Sequence, residues 1–528
     1  MMAQNVHVCF SVCFWCTFLI YKQLIINHMA TNSYYDRILH IIVHNLSSCT
    51  DAGLLVSASN TSDYASASVQ VKRLVFNIVS SSDICYAHGC YYVFTGEIYE
   101  SVNPELIGKA VEEWLILSGV QNKVLHYSSR KFQEEALLSV RINKPFEPVF
   151  HIKAYVNGVV DFTTCELHPF DARFHVIYKN PYKYDPSARC PMWQGFLRSI
   201  LPEKESRLIL QMYLGLCTYD RGKMGDKVEN CLMLYGTGSN GKSVIYDTIT
   251  GIFGRENVSS MGLMSLIKGG DERLRNIAKI DGKIVNMCPE IQAKDISGYE
   301  DAFKTLCSGE MVYGRTLGRN VYEVRNVPWL IFNMNNLPTS KDSSYGYFRR
   351  FLYVIFENVI PEEMQNKHLA EDLKEEYPGI LNWIIRGGKY LKQRHFVFPK
   401  SENSEKQKLL AMADNNIVMS WAMARGVRPS PLTKGEISTW LRAKDMYDDC
   451  MEYAKVNGFV QVSDKDFGRL LTRIGFNRYS KKRDSKGMLY RVYGCTDKDL
   501  LSDVPVVNDM ELDLGDYNNN VEYDAEDL

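Results

Sequence analysis

The sequence predicts an α/β chain in several parts, with a core built on a glycine-rich loop, a small α+β module ahead of it and a helix-plus-wing module behind it. Three observations predict this. Cys231 to Gly254 reads CLMLYGTGSNGKSVIYDTITGIFG, which is an apolar strand, a glycine-rich loop and a helix in immediate succession. Apolar runs at Lys283–Met287, Val327–Phe332 and behind Arg349-Arg350 repeat the strand signal between helical stretches. Near the C-terminus, Ser463 to Gly475 is a capped amphipathic helix followed by two strand-like runs.

At 528 residues the chain has room for about two to four domains. Apolar residues are 45% and charged ones 23%, the composition of a globular protein. The formal net charge of −1 conceals an asymmetry, because ten Asp and Glu but no Lys or Arg follow Lys498. Partners are therefore read from local charge. The fourteen cysteines are scattered, and Cys13-Phe-Trp-Cys16 has no second pair to complete a zinc site, so free thiols in a reducing cytoplasm are expected. If the source is viral, that is the host cytoplasm. Val8 to Tyr21 is apolar but shorter than the roughly 20 residues that span a bilayer, and no basic residue precedes it. An over-extended start ahead of Met29 is expected, with no stable membrane association.

In chain order, residues 1–90 form a poorly defined segment that includes a Ser, Ala, Thr and Asn-rich linker from Ser47 to Gln70. Residues 91–200 are an α+β domain. Within it, YYVFTGEIYESV from Tyr91 gives two strands around Thr95-Gly96, and helices follow at Pro104–Ser118 and Ser129–Ile142. Ala154 to Phe170 alternates like strands and turns at Asn157-Gly158. Helices then run to Tyr219, with Trp193, Phe196 and Leu197 as core. No cluster of acidic metal ligands of the kind a nucleotide-polymerising enzyme needs precedes residue 200.

Residues 201–395 hold the glycine-rich loop. Gly236-Thr237-Gly238-Ser239-Asn240-Gly241-Lys242-Ser243 is the G-x4-G-K-S pattern of a P-loop, in the strand–loop–helix setting that makes it credible. Its glycines let backbone N–H groups and a helix N-terminus converge on phosphate oxygens. Lys242 is placed for the β- and γ-phosphates and Ser243 for Mg2+. A polar helix over Asp271–Ala278 and the strand from Lys283 lead to Glu290, placed to deliver a carboxylate to Mg2+ and the attacking water. Met311 to Val327 reads as a hairpin with its tip at Gly318-Arg319-Asn320. Arg315, Arg319 and Arg325 make it basic, as solvated edge residues or as phosphate ligands together with Lys304. The strand over Val327–Phe332 ends in an amide-rich turn whose Asn335 can orient water. Arg349 and Arg350 precede another buried strand, as a surface ion pair or as a finger toward a neighbour's nucleotide.

Residues from Glu357 to Gln393 are expected to be helical, and Pro399 to Gln407 to be a polar linker. Residues 400–498 form the C-terminal module, with helices at Ile417–Met423 and Leu432–Asn457, the capped helix, and a wing from Arg478 to Tyr493. Lys481, Lys482, Arg483 and Lys486 there supply phosphate contacts that raise affinity before they select sequence. This is the outline of a winged helix. Residues 499–528 are an acidic tail.

Taken together, the NGVVDFTT hairpin, CPMWQGFL, GTGSNGKS, the Glu290 strand, the NNLP turn and the RR pair resemble, in this order, the superfamily 3 helicases of the phage and plasmid primase-helicase (poxvirus-type NTPase) type. The resemblance spans Tyr91 to Thr496. It implies an AAA+-like ATPase core with a parallel sheet, ATP and Mg2+ as cofactors, and a ring, usually a hexamer, with nucleotide at subunit interfaces and single-stranded DNA in the channel. It makes Lys242 and Ser243 the Walker A residues, Glu290 the Walker B acid, Asn335 the asparagine of the N-x-L-P turn and Arg350, beside Arg349, the finger. The hairpin from Arg315 to Arg325 would grip DNA, and duplex DNA would engage the winged helix. The implied activity is ATP-dependent DNA unwinding in phage, virus or plasmid replication, with priming supplied by a separate primase or polymerase. The alternative is a nucleotide-dependent initiator that holds an origin without processive unwinding. A small-molecule P-loop kinase would have no use for the hairpin, the arginine pair or the basic wing.

Overall fold

The computed structural model describes residues 34–47, most of 82–117 and most of 129–496. The apolar N-terminal run, the expected linker from residue 48 to Gln70 and the acidic tail lie outside the described residues, as do Thr237, Ser239, Arg319 and Arg325, whereas Ser47 ends a helix. The chain divides into two compact units, 1–184 and 185–528.

In the first unit, strands Ile84–Ala87, Cys90–Phe94 and Tyr99–Val102 form an antiparallel sheet. Helices Tyr34–Ser47, Pro104–Leu117 and Ser129–Asn143 share a core with it through Ile38, Ile42, Val93, Ile107, Val111 and Val140. A second antiparallel sheet joins Ile152–Tyr155, Gly158–Asp161 and Glu166–His168. Its first turn is the expected Asn157-Gly158, with Gly158 at φ +143. The Asn157 side chain both donates to and accepts from the Tyr184 backbone at 2.9 Å, which pins the turn.

The second unit begins with α1 (Pro191–Ile200) and α2 (Lys204–Leu216). Pro191 suits the first helical turn, where no N–H is needed, and the free N–H groups of Met192 and Trp193 are each accepted by a Glu376 carboxylate oxygen at 2.9 Å. Trp193, Phe196 and Leu197 are buried, as the core reading requires. Then follow β1 (Cys231–Tyr235), α3 (Lys242–Phe253), β2 (Val258–Ser259), α4 (Asp271–Ile280), β3 (Val285–Ile291), α5 (Glu300–Ser308), β4 (Val312–Gly314), β5 (Tyr322–Val324), β6 (Trp329–Met334), β7 (Phe351–Ile355) and α6 (Tyr377–Gln393). Five strands form one sheet in the order β7-β1-β6-β3-β2, and every pairing is parallel. Parallel strands are covered on both faces, and Cys231 to Leu234 and Leu330 to Phe332 are each no more than 1% exposed.

Helices α2 and α6 cross at glycines. A Cβ on Gly215 would lie 2.0 Å from the Gly388 nitrogen, and one on Gly387 would lie 2.4 Å from the Gln211 carbonyl oxygen. Gln211 Nε2 also donates to the Trp383 carbonyl at 2.9 Å. Behind the sheet, Arg221 stacks 4.3 Å over Trp329 and donates to the carbonyls of Val228, Leu306 and Cys307. That joins the end of α5 to the entrance of β1.

Three stretches differ from the sequence expectation. Rather than at Glu357, helical structure starts at Leu369, in a short helix over Leu369–Asp372 and a 3-10 helix over Leu373–Glu376, before α6 begins at Tyr377. Pro378 favours a helix start there, and Asn358 is engaged with the Ser199 carbonyl. The expected linker at Pro399–Gln407 is largely the helix α7 (Glu402–Asp414). The Ser401 hydroxyl caps it by accepting from the Ser404 N–H, and Glu203 Oε1 accepts from the Glu402 N–H at 2.9 Å. Beyond α8 (Ile417–Ala424), residues 439–442 are strand rather than helix, and α9 runs over Ala443–Asn457. The helix expectation fails there because the strand's partner is distant in sequence: Thr439 to Arg442 pair with Val492 to Cys495.

The C-terminal part closes with α10 (Asp464–Arg473) and the antiparallel hairpin Arg478–Arg483 with Leu489–Thr496. Ser463 accepts from the Asp466 N–H and so caps α10. Its core is Trp421, Met446, Cys450, Phe467, Leu471 and Tyr493. No helix of the described residues is long and apolar enough to cross a membrane.

Gly388→Ala, read by thermal or denaturant unfolding, is expected to destabilise the second unit by about 1–3 kcal/mol, because the new methyl meets backbone rather than a yielding side chain.

Candidate functional site

The glycine-rich loop leaves the carboxyl end of β1, an inner strand between β7 and β6. From there the chain crosses to β2 at one edge, whereas β6, the neighbour of β1, passes on to β7 at the other. Adjacent strands that send their connections opposite ways open a crevice at their carboxyl ends, where α/β sheets bind ligands.

Strand pairing continues past the end of β1 and holds the loop's root. Gly236 N donates to the Met334 carbonyl at 3.2 Å, and Phe356 N donates to the Tyr235 carbonyl at 2.8 Å. Gly236 has no room for a side chain, since a Cβ would lie 2.4 Å from Asn240 Nδ2 and 2.8 Å from the Phe356 carbonyl oxygen. Gly241 adopts φ +84, and its Cβ would meet the Phe196 ring at 2.8 Å. Gly238, by contrast, faces open space. Lys242 opens α3, yet its side chain folds back and is buried. Its Nζ donates to the Gly236 carbonyl at 2.5 Å and to Asn240 Oδ1 at 3.1 Å, and it sits 5.9 Å from the Phe356 ring centroid. Ser243 is exposed in the first turn of α3.

Two further expected residues fall at the same end of the sheet. Asn335 directly follows β6, and Glu290 is the penultimate residue of β3. In the sheet, β6 stands between the loop strand and the strand carrying Glu290. From Phe332↔Cys288 to Met334↔Ile291 the β3 side uses one residue more than β6, so the ladder bulges across Pro289-Glu290. Proline has no N–H to give the ladder, and bulges re-aim neighbouring residues.

Arg349 and Arg350 sit elsewhere. They precede β7, and the Arg350 carbonyl accepts from Cys231 N at the amino end of the sheet. One strand length of roughly 16 Å separates them from the loop of the same chain. Both are held by Glu229, a residue the sequence did not single out. Arg349 reaches its Oε2 at 2.5 Å, Arg350 its Oε1 at 3.3 Å and Lys227 the same oxygen at 3.2 Å, while the Ser308 hydroxyl donates at 2.9 Å. Arg350 is buried, also donating to the Gly346 carbonyl, whereas Arg349 is half exposed. Burial alone would push the Glu229 carboxyl up, but hydrogen bonds from Ser308 and Lys227 and the charges of Arg350 and Arg349 outweigh it and hold the group below its usual range. Only its place two residues before an apolar strand marked Glu229 in the sequence.

Among the described residues, the expected nucleic-acid ligands lie on separate elements. Arg315 leaves β4 beside α4 and pairs with Asp271 at 2.6 Å, and Lys304 on α5 pairs with Asp301 at 3.6 Å. Tyr313 and Leu317 on the same hairpin are exposed. Lys481, Lys482 and Arg483 lie on the strand Arg478–Arg483.

Two family models match parts of the chain. Residues 151–202 match one described as "D5 N terminal like", and residues 234–350 match a family of unknown function, DUF5906. The second span runs from β1 through Lys242, Glu290 and Asn335 to Arg350. No curated protein matches. Among solved structures, the chain is similar to the apo structure of the NrS-1 C terminal region (305-718), at 13% identity and a TM-score of 0.42. It is also similar to the A form apo structure of that region, at 12% and 0.43. Each comparison covers 78% of this chain and 96% of that one, a likeness too loose to assign anything here.

Glu229→Gln is expected to lower stability at pH 7 by about 1–3 kcal/mol, because two guanidinium groups lose their anion. The sign with pH follows from the lowered carboxyl: wild type keeps this contribution above the ordinary value of 4.5 and loses it as pH falls through the depressed folded value. The gap between the two proteins in pH-dependent unfolding therefore closes toward acid.

Proposed function

We propose that this protein is an ATP-dependent DNA helicase of replication, resembling the superfamily 3 primase-helicases, with an AAA+-like core. The observation that carries the reading is the G-x4-G-K-S loop at the carboxyl end of the inner parallel strand β1, with Asn335 and Glu290 at the same sheet end. The match of residues 151–202 to the "D5 N terminal like" model, ahead of this core, supports it.

The loop fits a triphosphate. Side chains are excluded at Gly236 and Gly241, open space lies at Gly238, and the Lys242 ammonium sits within the loop at the start of α3. In this reading the loop backbone and Lys242 hold the phosphates of ATP, while Ser243 and Glu290 hold Mg2+. ATP supplies a phosphoanhydride whose cleavage releases energy. Asn335 orients water at the end of β6.

The arginine pair supports a ring. Placed at the amino end of the sheet, Arg349 and Arg350 serve the nucleotide of a neighbouring copy, not their own. Arg349, half exposed, extends by leaving Glu229 Oε2 while Arg350 stays on Glu229. Single-stranded DNA passes the exposed hairpin of Arg315, and the basic C-terminal strand, in a winged-helix module, adds phosphate contacts.

Purified protein should hydrolyse ATP faster with single-stranded DNA, and Lys242→Ala should abolish turnover. Turnover indifferent to DNA would sink the helicase reading, and sequence-selective duplex binding that survives Lys242→Ala would replace it with origin binding. Neutralising Lys481, Lys482 and Arg483 together should reduce the salt slope of DNA binding by roughly 2–3.

A further inference from the structure

Asn240 is 2% exposed and is bonded on both sides of its amide. Its Oδ1 accepts from Lys242 Nζ at 3.1 Å, and its Nδ2 donates to the Phe356 carbonyl at 3.4 Å. Phe356 in turn follows β7, donates its N–H to the Tyr235 carbonyl and lays its ring near the Lys242 ammonium. The loop's own oxygens thus occupy the cation that phosphates would need. An amide oxygen is a neutral acceptor, and a phosphate oxygen is a charged one, so the exchange runs toward phosphate once it arrives.

We infer that Asn240 is a positioning residue that latches Lys242 inside the nucleotide-free loop and ties its release to the Phe356 carbonyl at the end of β7. This rests on the nucleotide-binding reading above. It goes beyond that reading by giving Asn240 a role separate from phosphate contact. Release of Lys242 loosens the Asn240 amide, and the strand that feels it is the one that begins behind Arg349 and Arg350. Occupancy of the loop is thereby reported along β7 to the opposite end of the sheet. Substituting Gly236 would be no remedy for a lost latch, because its missing side chain is what admits the Asn240 amide.

The test is acylation of Lys242 by acetic anhydride in the nucleotide-free full chain, followed by peptide mass spectrometry, with a titration of ATP analogue alongside. Asn240→Ala should raise the Lys242 labelling rate roughly tenfold, the lower end for losing a hydrogen bond to a charged group, and tighten the analogue by a similar factor. Lys408, part-buried on α7, should label at its wild-type rate. Asn240→Asp retains an acceptor, now charged, and should slow Lys242 labelling below wild type. Unchanged labelling in Asn240→Ala overturns the inference. If that variant merely loosens the fold, Lys408 accelerates too, and Asn240→Asp then decides: labelling equal to or faster than wild type overturns the latch. Because labelling needs no nucleotide, a wild-type chain that fails to bind the analogue overturns the proposed function and leaves the latch separately measured.

Discussion

The structure depends on the pairing of β1 on both edges at once. Cys231 to Tyr235 run parallel between β6 and β7, and their ladder continues beyond the strand through Gly236 N to Met334 and Phe356 N to Tyr235. A strand clamped on both sides and buried on both faces cannot shift register without exposing its whole apolar set. The loop therefore starts from a fixed point. Its folded-back lysine, its crowded glycines and the helix that follows are consequences of that anchorage.

The same strand has another end. Cys231 N meets the Arg350 carbonyl, and two residues before β1 stands Glu229 with its ring of Lys227, Arg349, Arg350 and Ser308. One carboxylate facing three cations leaves a surplus positive charge at the amino end of the sheet, partly offset by Glu310 beside Lys227. Partial burial keeps these interactions stronger than on an open surface, and it makes the loss of Glu229 worse than the loss of any one cation. The sheet thus carries a cationic loop at one end and an arginine cluster at the other, joined by β1 and β7.

Much of this was legible in the sequence because the strands are apolar runs and the loop is a motif whose backbone demands are strict. The Asn157-Gly158 turn, the hairpin around Gly318, the capped helix at Ser463 and the buried Trp193 face were readable for the same reason: each is a local pattern with a local cause. Helix α7 was not, because its docked side uses Ser401, Ser404, Ala411 and Ala413 rather than a stripe of large apolar residues. It holds by hydrogen bonds to Glu203 and to the Tyr353 N–H, partners far away in the chain. The strand Thr439–Arg442 was missed likewise, since its hydrogen bonds come from residues about fifty positions on.

By itself, the sequence determined which segment would be loop and which would be strand around Lys242, because glycine spacing and apolar runs act on the nearest neighbours. It also marked Glu290, Asn335, Arg349 and Arg350 as residues following or preceding strands. Only the tertiary structure decided that β6 lies between β1 and β3, that the arginines stand at the far end of the sheet, and that Asn240 bridges Lys242 to Phe356. Strand order and side-chain meeting depend on contacts between residues some forty to a hundred and twenty positions apart, and no local pattern encodes which of several apolar strands will lie beside which.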